Sequence, residues 1–133
     1  MIIGIGVDII EIERVRQAIQ NNKNFLSKLF TEKEIDYFIS RKMNSEVIAG
    51  NFAAKEAVSK ALGTGIRGFS FKDIEILRNE LGKPEVILHN GAKLIGNKLI
   101  RNNNSLKIHL SISHNNSNAI AYSVLEGEYH GNM

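Results

Sequence analysis

Residues 2–10 form a nearly continuous β-branched run, Ile2-Ile3-Gly4-Ile5-Gly6-Val7-Asp8-Ile9-Ile10, interrupted by two glycines and one acid. Such a run predicts a strand covered on both faces or buried at an interface. Gly4 and Gly6 lie two apart and so share a face, which points to another backbone, or a ligand, coming close there. From Glu11 to about Asn21 the apolar residues Ile12, Val15, Ala18 and Ile19 recur at helical spacing. Phe25, Leu26, Leu29 and Phe30 predict a short second helix. Thr31-Glu32-Lys33-Glu34 carries the capping-box pattern, so a third helix follows to about Lys42. A fourth runs from its cap at Ser45 to Leu62, with Gly63 placed as a left-handed C-terminal glycine.

The period then changes. Asp73 to Arg78 alternates as a strand, Leu81-Gly82-Lys83-Pro84 is a turn with the only proline, and Glu85 to Leu88 returns. Asn90 is placed as the cap of a helix reaching about Asn102. Leu106–Ile112 and Ala119–Leu125 are strands joined by a turn at Asn115–Asn118. The order β, helices, ββ, α, ββ predicts an α+β fold with a largely antiparallel sheet packed with helices. It is read as a single domain over 1–126, followed by a polar, frayed tail over 127–133.

Composition narrows the chemistry. The 133 residues include no cysteine, which excludes a disulfide framework, a zinc–thiolate site, an iron–sulfur cluster and a cysteine nucleophile. Aromatic residues are 7% with no tryptophan, and the net charge is only +3, so a nucleic-acid platform is poorly supplied. The apolar start has no basic flank and is broken by Asp8, and no apolar run reaches membrane-spanning length. The expectation is a cytoplasmic protein without membrane or nucleic-acid partners. One asymmetry stands out: no acid occurs between Glu85 and Glu126, whereas Lys93, Lys98, Arg101, Lys107, His89, His109 and His114 do. That stretch is either a solvated basic face or a binding region for an anion such as phosphate.

Three residues draw attention for chemistry. Asp8 reads either as a helix cap, with Glu11 completing an Asp-x-x-Glu box, or as a metal ligand at a strand end. Glu56 and Lys60 are four apart and share a helix face with Phe52. They are either an i,i+4 ion pair or a carboxylate for a divalent cation beside a lysine for a phosphate. The same helix carries Ala49, Ala53, Ala54, Ala57 and Ala61, which points to close packing against another backbone. Gly63-Thr64-Gly65 is either a helix stop or a source of amides for a phosphate. His109 and His114 are an odd number of residues apart on one strand and make a poor zinc pair.

Two motifs, Gly4-Ile5-Gly6-Val7-Asp8-Ile9 and Phe52-Ala53-Ala54-Lys55-Glu56-Ala57-Val58-Ser59-Lys60-Ala61 running on to Gly63-Thr64-Gly65, together with the chain length, resemble the holo-acyl-carrier-protein synthase family. These are the small single-domain 4′-phosphopantetheinyl transferases. The Gly82-Lys83-Pro84 turn and Ser111-Ile112-Ser113-His114 are weaker matches. The resemblance implies transfer of the phosphopantetheine arm of coenzyme A to a serine of apo acyl carrier protein, with Mg²⁺, releasing adenosine 3′,5′-bisphosphate. It implies Asp8 and Glu56 as metal ligands and Lys60 as the pyrophosphate lysine. Glu56 is the candidate general base through a water. Lys83, Pro84 and His114 are expected near the coenzyme A nucleotide, and Gly63, Thr64 and Gly65 near its phosphates. It also implies a homotrimer with sites shared between subunits, which would account for the glycines and alanines. Arg14 and Arg16 are the expected docking cations for an acidic carrier, unless Glu11 and Glu13 pair with them. Where the family commonly has an arginine, this chain has Asn51; Arg41, Lys42 or Lys55 is expected to supply the missing charge. The competing readings are a non-catalytic module binding coenzyme A or carrier protein, against which Asp8, Glu56 and Lys60 argue, and a small RNA-binding domain.

Overall fold

In the computed structural model, which describes residues 1–101 and 103–131, the chain runs β1 (Ile2–Glu11), α1 (Ile12–Asn21), α2 (Phe25–Leu29), α3 (Glu32–Ser40) and α4 (Ser45–Ala61). A 3-10 turn at Phe71–Asp73 leads into β2 (Ile74–Arg78), β3 (Pro84–Leu88), α5 (Asn90–Lys98), β4 (Asn104–His114) and β5 (Asn118–Tyr129). All strand pairings are antiparallel. The expected α+β fold of antiparallel strands packed with helices is present, its strands divided between β1-β5-β4 and the β2-β3 hairpin.

Helix α4 is the hub. Eleven of its 17 residues are buried, so it is apolar nearly all round rather than along one stripe. Its alanines Ala53, Ala54, Ala57 and Ala61 join Ile74, Ile76 and Leu125 in one core cluster. Ile12, Val15, Phe30, Phe38, Ile48 and Ala49 form a second, where the Phe30 and Phe38 rings meet edge to face at 4.9 Å. Small residues on α4 let β1 lie directly on it. A Cβ on Gly4 would stand 2.0 Å from the Ala61 carbonyl oxygen, and one on Gly6 would stand 2.0 Å from that of Ala57. The close backbone approach expected from these glycines and alanines is therefore internal to one chain and is no mark of a subunit contact.

Several element ends differ from expectation for local reasons. Asn44, not Ser45, caps α4, its side chain accepting from the Glu46 amide at 2.8 Å. His89 occupies the N-cap position of α5, and Asn90 is its first residue, with φ +47 and its amide donating to Asp73. That helix closes at Lys98, and its expected end at Asn102 lies outside the described residues. β5 continues through Gly127 to Tyr129, within the stretch expected to fray, because Met1 and Gly127 exchange backbone hydrogen bonds of 2.9 and 3.2 Å. The capping box at Thr31 is present as expected, with both of its bonds. Among the described residues no helix is long and apolar enough to cross a membrane.

Glu34, which closes that box, also anchors a buried knot. Its carboxylate accepts from the Thr31 amide (2.8 Å), the Ile76 amide (2.9 Å) and the Lys55 ammonium (2.9 Å). Lys55 is wholly buried, donates also to the Phe71 and Ile74 carbonyls, and lies 5.2 Å from the Phe30 ring centre. Burial pushes its pKa down and Glu34 opposes this.

The β1–α4 contact leaves no room for a methyl group. Gly6→Ala is expected to lower unfolding free energy by about 2 kcal/mol or more, measured by urea denaturation; a stability equal to the parent would contradict the packing described.

Candidate active site

Asp8 does not cap α1. The helix begins at Ile12 with Glu11 at its N-cap, and Asp8 stays within β1 opposite Ala121. Its side chain lies on the face that meets α4, as do Gly4 and Gly6. There the Lys60 ammonium, in the last turn of α4, donates to Asp8 Oδ1 at 3.2 Å and to the Val7 carbonyl at 3.0 Å. Asp8 is largely covered and Lys60 half exposed. Lys60 also sits well for its own charge, since the C-terminal end of a helix favours a cation.

Glu56, one turn earlier, has no side-chain hydrogen bond among the described residues, although it is partly buried. Burial raises its pKa, the nearby Asp8 carboxylate raises it further, and Lys60 only partly offsets them. The simple Glu56–Lys60 ion pair is not formed; the lysine reaches across to β1 instead. Two carboxylates, one of them unpartnered, with a cation alongside, make an oxygen-rich pair with uncompensated negative charge. That fits a hard divalent cation, which takes carboxylate, phosphate and water oxygens. Among the described residues no third acid or histidine joins them.

The Gly63–Gly65 loop leaves α4 on the Lys60 side. Gly63 (φ +89) and Gly65 (φ +62) adopt the left-handed conformation that glycine tolerates best. Their amides donate to the Lys60 and Ser59 carbonyls, so two of the amides expected to face a phosphate close the helix instead. The Thr64 hydroxyl donates to the Gly65 carbonyl.

Lys83, Pro84 and His114 meet elsewhere, around a cavity of about 410 Å³ that also takes in Tyr37, Glu46 and Arg78. Val47 and Gly50 of α4 border it. At 1.5 Å per residue, this cavity and the Glu56–Lys60 turn lie about 13–15 Å apart along the helix. One chain therefore places the acid pair and the expected nucleotide residues at opposite ends of α4.

The basic stretch is not acid-free in space. His89 meets Glu75 at 3.0 Å, His109 meets Glu126 at 2.9 Å and His114 lies 3.4 Å from Glu46. On α1, Arg16 pairs with Glu13, whereas Arg14 is exposed and forms no ion pair among the described residues. Lys55 cannot supply the charge missing at Asn51, because it is consumed in the knot with Glu34. Asn51 is itself buried, and its carbonyl oxygen accepts from Arg78 at 3.1 Å. Arg78 and Tyr37 were not singled out from sequence. The available signal was Arg78 at the face of β2 that carries Ile74 and Ile76, an inward position where an arginine is unusual.

The model of the 4′-phosphopantetheinyl transferase superfamily matches residues 4–124. A holo-acyl-carrier-protein synthase from Clostridium perfringens is 93% identical over 133 residues, the whole of both chains. The crystal structure of the Helicobacter pylori holo-acyl-carrier-protein synthase in complex with coenzyme A is similar with a TM-score of 0.78 and 35% identity, covering 92% of this chain and 99% of that one. The Bacillus anthracis holo-acyl-carrier-protein synthase, in complex with coenzyme A (3′,5′-ADP), gives 0.74 and 37%, covering 96% and 98%.

The Glu56 environment has a sign that can be tested. A raised carboxyl pKa penalises the ionised form in the folded state, so stability is lost as pH rises from the ordinary carboxylate range through the raised value. Glu56→Gln is expected to raise Tm at pH 7 in EDTA by a few degrees, with the gain shrinking as pH falls toward 4.5. A scanning-fluorimetry series over pH checks this, and a lower Tm at pH 7 would contradict it.

Proposed function

Because this chain belongs to the 4′-phosphopantetheinyl transferase superfamily, and within it to the holo-acyl-carrier-protein synthases, we propose that it moves the phosphopantetheine arm of coenzyme A onto a serine of apo acyl carrier protein. The observation that carries this reading is the Asp8–Glu56–Lys60 arrangement, where the two acids and the phosphate-binding lysine named from sequence come together. The serine oxygen forms a bond to the β-phosphorus of coenzyme A. The bond from that phosphorus to the bridging oxygen breaks, and adenosine 3′,5′-bisphosphate leaves with the electron pair. Asp8 and Glu56 would hold Mg²⁺, which neutralises pyrophosphate charge and aligns it for in-line attack. Lys60 stabilises the charge developing on the phosphate oxygens. Glu56, acting through a water, is the candidate base for the serine proton, and Thr64 with the flanking glycines borders the pyrophosphate. The nucleotide occupies the cavity of Lys83, Pro84 and His114, whose walls combine cations with apolar Leu110 and Ile112. Arg14, which forms no ion pair among the described residues, is the stronger docking cation for an acidic carrier, with Arg16 on the same helix. The reaction belongs in the cytoplasm.

The active form is a homotrimer. Ile5, Val7 and Ile9 of β1, with Ile120 and Tyr122 of β5, are exposed on the sheet face turned away from α4. A contiguous apolar face of this kind is what an intersubunit contact covers. It borders Lys60, since Ile5, Val7, Tyr122 and Lys60 line one depression. A neighbour seated there brings its own nucleotide cavity toward this chain's acids, which their separation along α4 calls for.

Incubation of an apo acyl carrier protein with coenzyme A, Mg²⁺ and this protein is expected to add one phosphopantetheine arm by intact mass, and EDTA is expected to abolish the gain. No gain with a carrier that a control transferase modifies would overturn the reading. For the assembly, light scattering is expected to give three times the chain mass. Tyr122→Glu is expected to shift it to the monomer and lower transfer at least about tenfold; a monomeric active parent would contradict the trimer.

A further inference from the structure

The cavity holding Lys83, Pro84 and His114 contains a cation that the site described above does not use. Arg78 ends β2 opposite Pro84 and lines this cavity. Its guanidinium is fixed on two sides. One nitrogen donates to Asn51 Oδ1 at 3.1 Å, and the guanidinium carbon stands 4.9 Å from the centre of the Tyr37 ring. Asn51 is fixed in turn, its amide donating to the Val47 carbonyl at 2.7 Å, and is almost fully buried. Arg78 has no carboxylate partner within ion-pair distance among the described residues. Among the described residues Glu46 is the only acid lining the cavity, and it faces His114. Burial lowers the Arg78 pKa and the neighbouring Arg41 lowers it further, while Tyr37 and Glu34 oppose this; an arginine so placed stays charged. An arginine that is oriented, partly desolvated, unpaired and flanked by Lys83 is built to receive an anion. Its planar fork offers paired donors to phosphate oxygens, and holding it in place beforehand reduces the entropy lost on binding.

We infer that Arg78, held by Asn51 and Tyr37, is the residue of this chain that binds a phosphate of the coenzyme A nucleotide. The inference rests on the proposed function and adds to it a specificity-determining residue on β2 and a positioning role for Asn51. The amide at position 51 removes a charge from α4 but supplies the acceptor that aims an arginine from the neighbouring strand.

Calorimetric titration with coenzyme A and with 3′-dephospho-coenzyme A tests it. Arg78→Ala and Arg78→Gln are expected to weaken coenzyme A binding about tenfold to a hundredfold. Arg78→Lys should recover part of this, and Asn51→Leu should give a smaller loss with Arg78 intact. The KM for coenzyme A is expected to rise while the KM for the carrier protein stays unchanged, a split that a merely structural role would not give. If the variants lose the parent's preference for coenzyme A over the dephospho form, Arg78 holds the 3′-phosphate. If they weaken both ligands equally, it holds the pyrophosphate. A parent that binds and transfers, with Arg78→Gln folded and within twofold of it, overturns the inference alone. A parent that neither binds coenzyme A nor modifies a carrier overturns the proposed function as well.

Discussion

The site depends on a contact between two backbones. β1 lies on α4 through glycine on one side and alanine on the other, with no side chain between them. That brings Asp8 within reach of Lys60 and places its charge beside Glu56. Asp8 and Glu56 lie more than 40 residues apart in the chain, so only this packing makes them neighbours. Any larger residue at Gly4 or Gly6 would push β1 away from α4 and separate the acids before affecting either one directly. The small residues and the charged ones therefore form one functional unit.

A second constraint sets the rotation of α4. Lys55 and Glu56 are adjacent and so point about 100° apart around the helix axis. Lys55 is buried against Glu34 and two carbonyls, whereas Glu56 reaches the opening toward Asp8. An ammonium without its carboxylate is costly in this interior, so the Lys55–Glu34 knot fixes which face of α4 turns inward. Lys55 belongs to the motif that carries the family resemblance but holds the fold; Glu56 and Lys60 lie at the opening beside Asp8. The knot also ties the capping box of α3 to β2 through the Ile76 amide, which joins the helical half of the chain to the hairpin that carries Lys83.

What could be read in the sequence follows the range of the interactions. Helices and strands with clear periods were legible, as were the Thr31 box and the turn of Gly63, because these are local patterns. The glycine face of β1 and the alanine face of α4 each announced a close neighbour, but not that each was the other's. Asp8, Glu56 and Lys60 were legible as motif residues; their geometry was not, since the helical spacing pointed to a Glu56–Lys60 pair and the lysine instead crosses to β1. Asn51 read as a lost charge because its partner, Arg78, lies 27 residues away on a strand whose placement no local pattern reveals. The same distance effect misassigned Lys55. The division of the strands between two sheets and the extension of β5 past Glu126 also depended on long-range pairing, the latter on Met1.

The arrangement gives a physical reason for the proposal of a site built from more than one copy of the chain. Helix α4 carries Glu56 and Lys60 near its C-terminal end, beside Asp8 of β1, and borders the proposed nucleotide cavity near its N-terminal end, with its buried middle between them. A single rigid helix cannot fold those ends together. The apolar sheet face beside Lys60 offers a surface on which a second copy can bring its cavity up to the first copy's acids. In that arrangement the desolvation that drives association also removes water from the place where phosphate charge develops, and electrostatic stabilisation by Lys60 strengthens as the local dielectric falls. In the proposed trimer, assembly and catalysis would draw on the same buried surface. The same proposed assembly would cover Ile5, Val7, Ile9, Ile120 and Tyr122, the large apolar residues left exposed on one side of the main sheet.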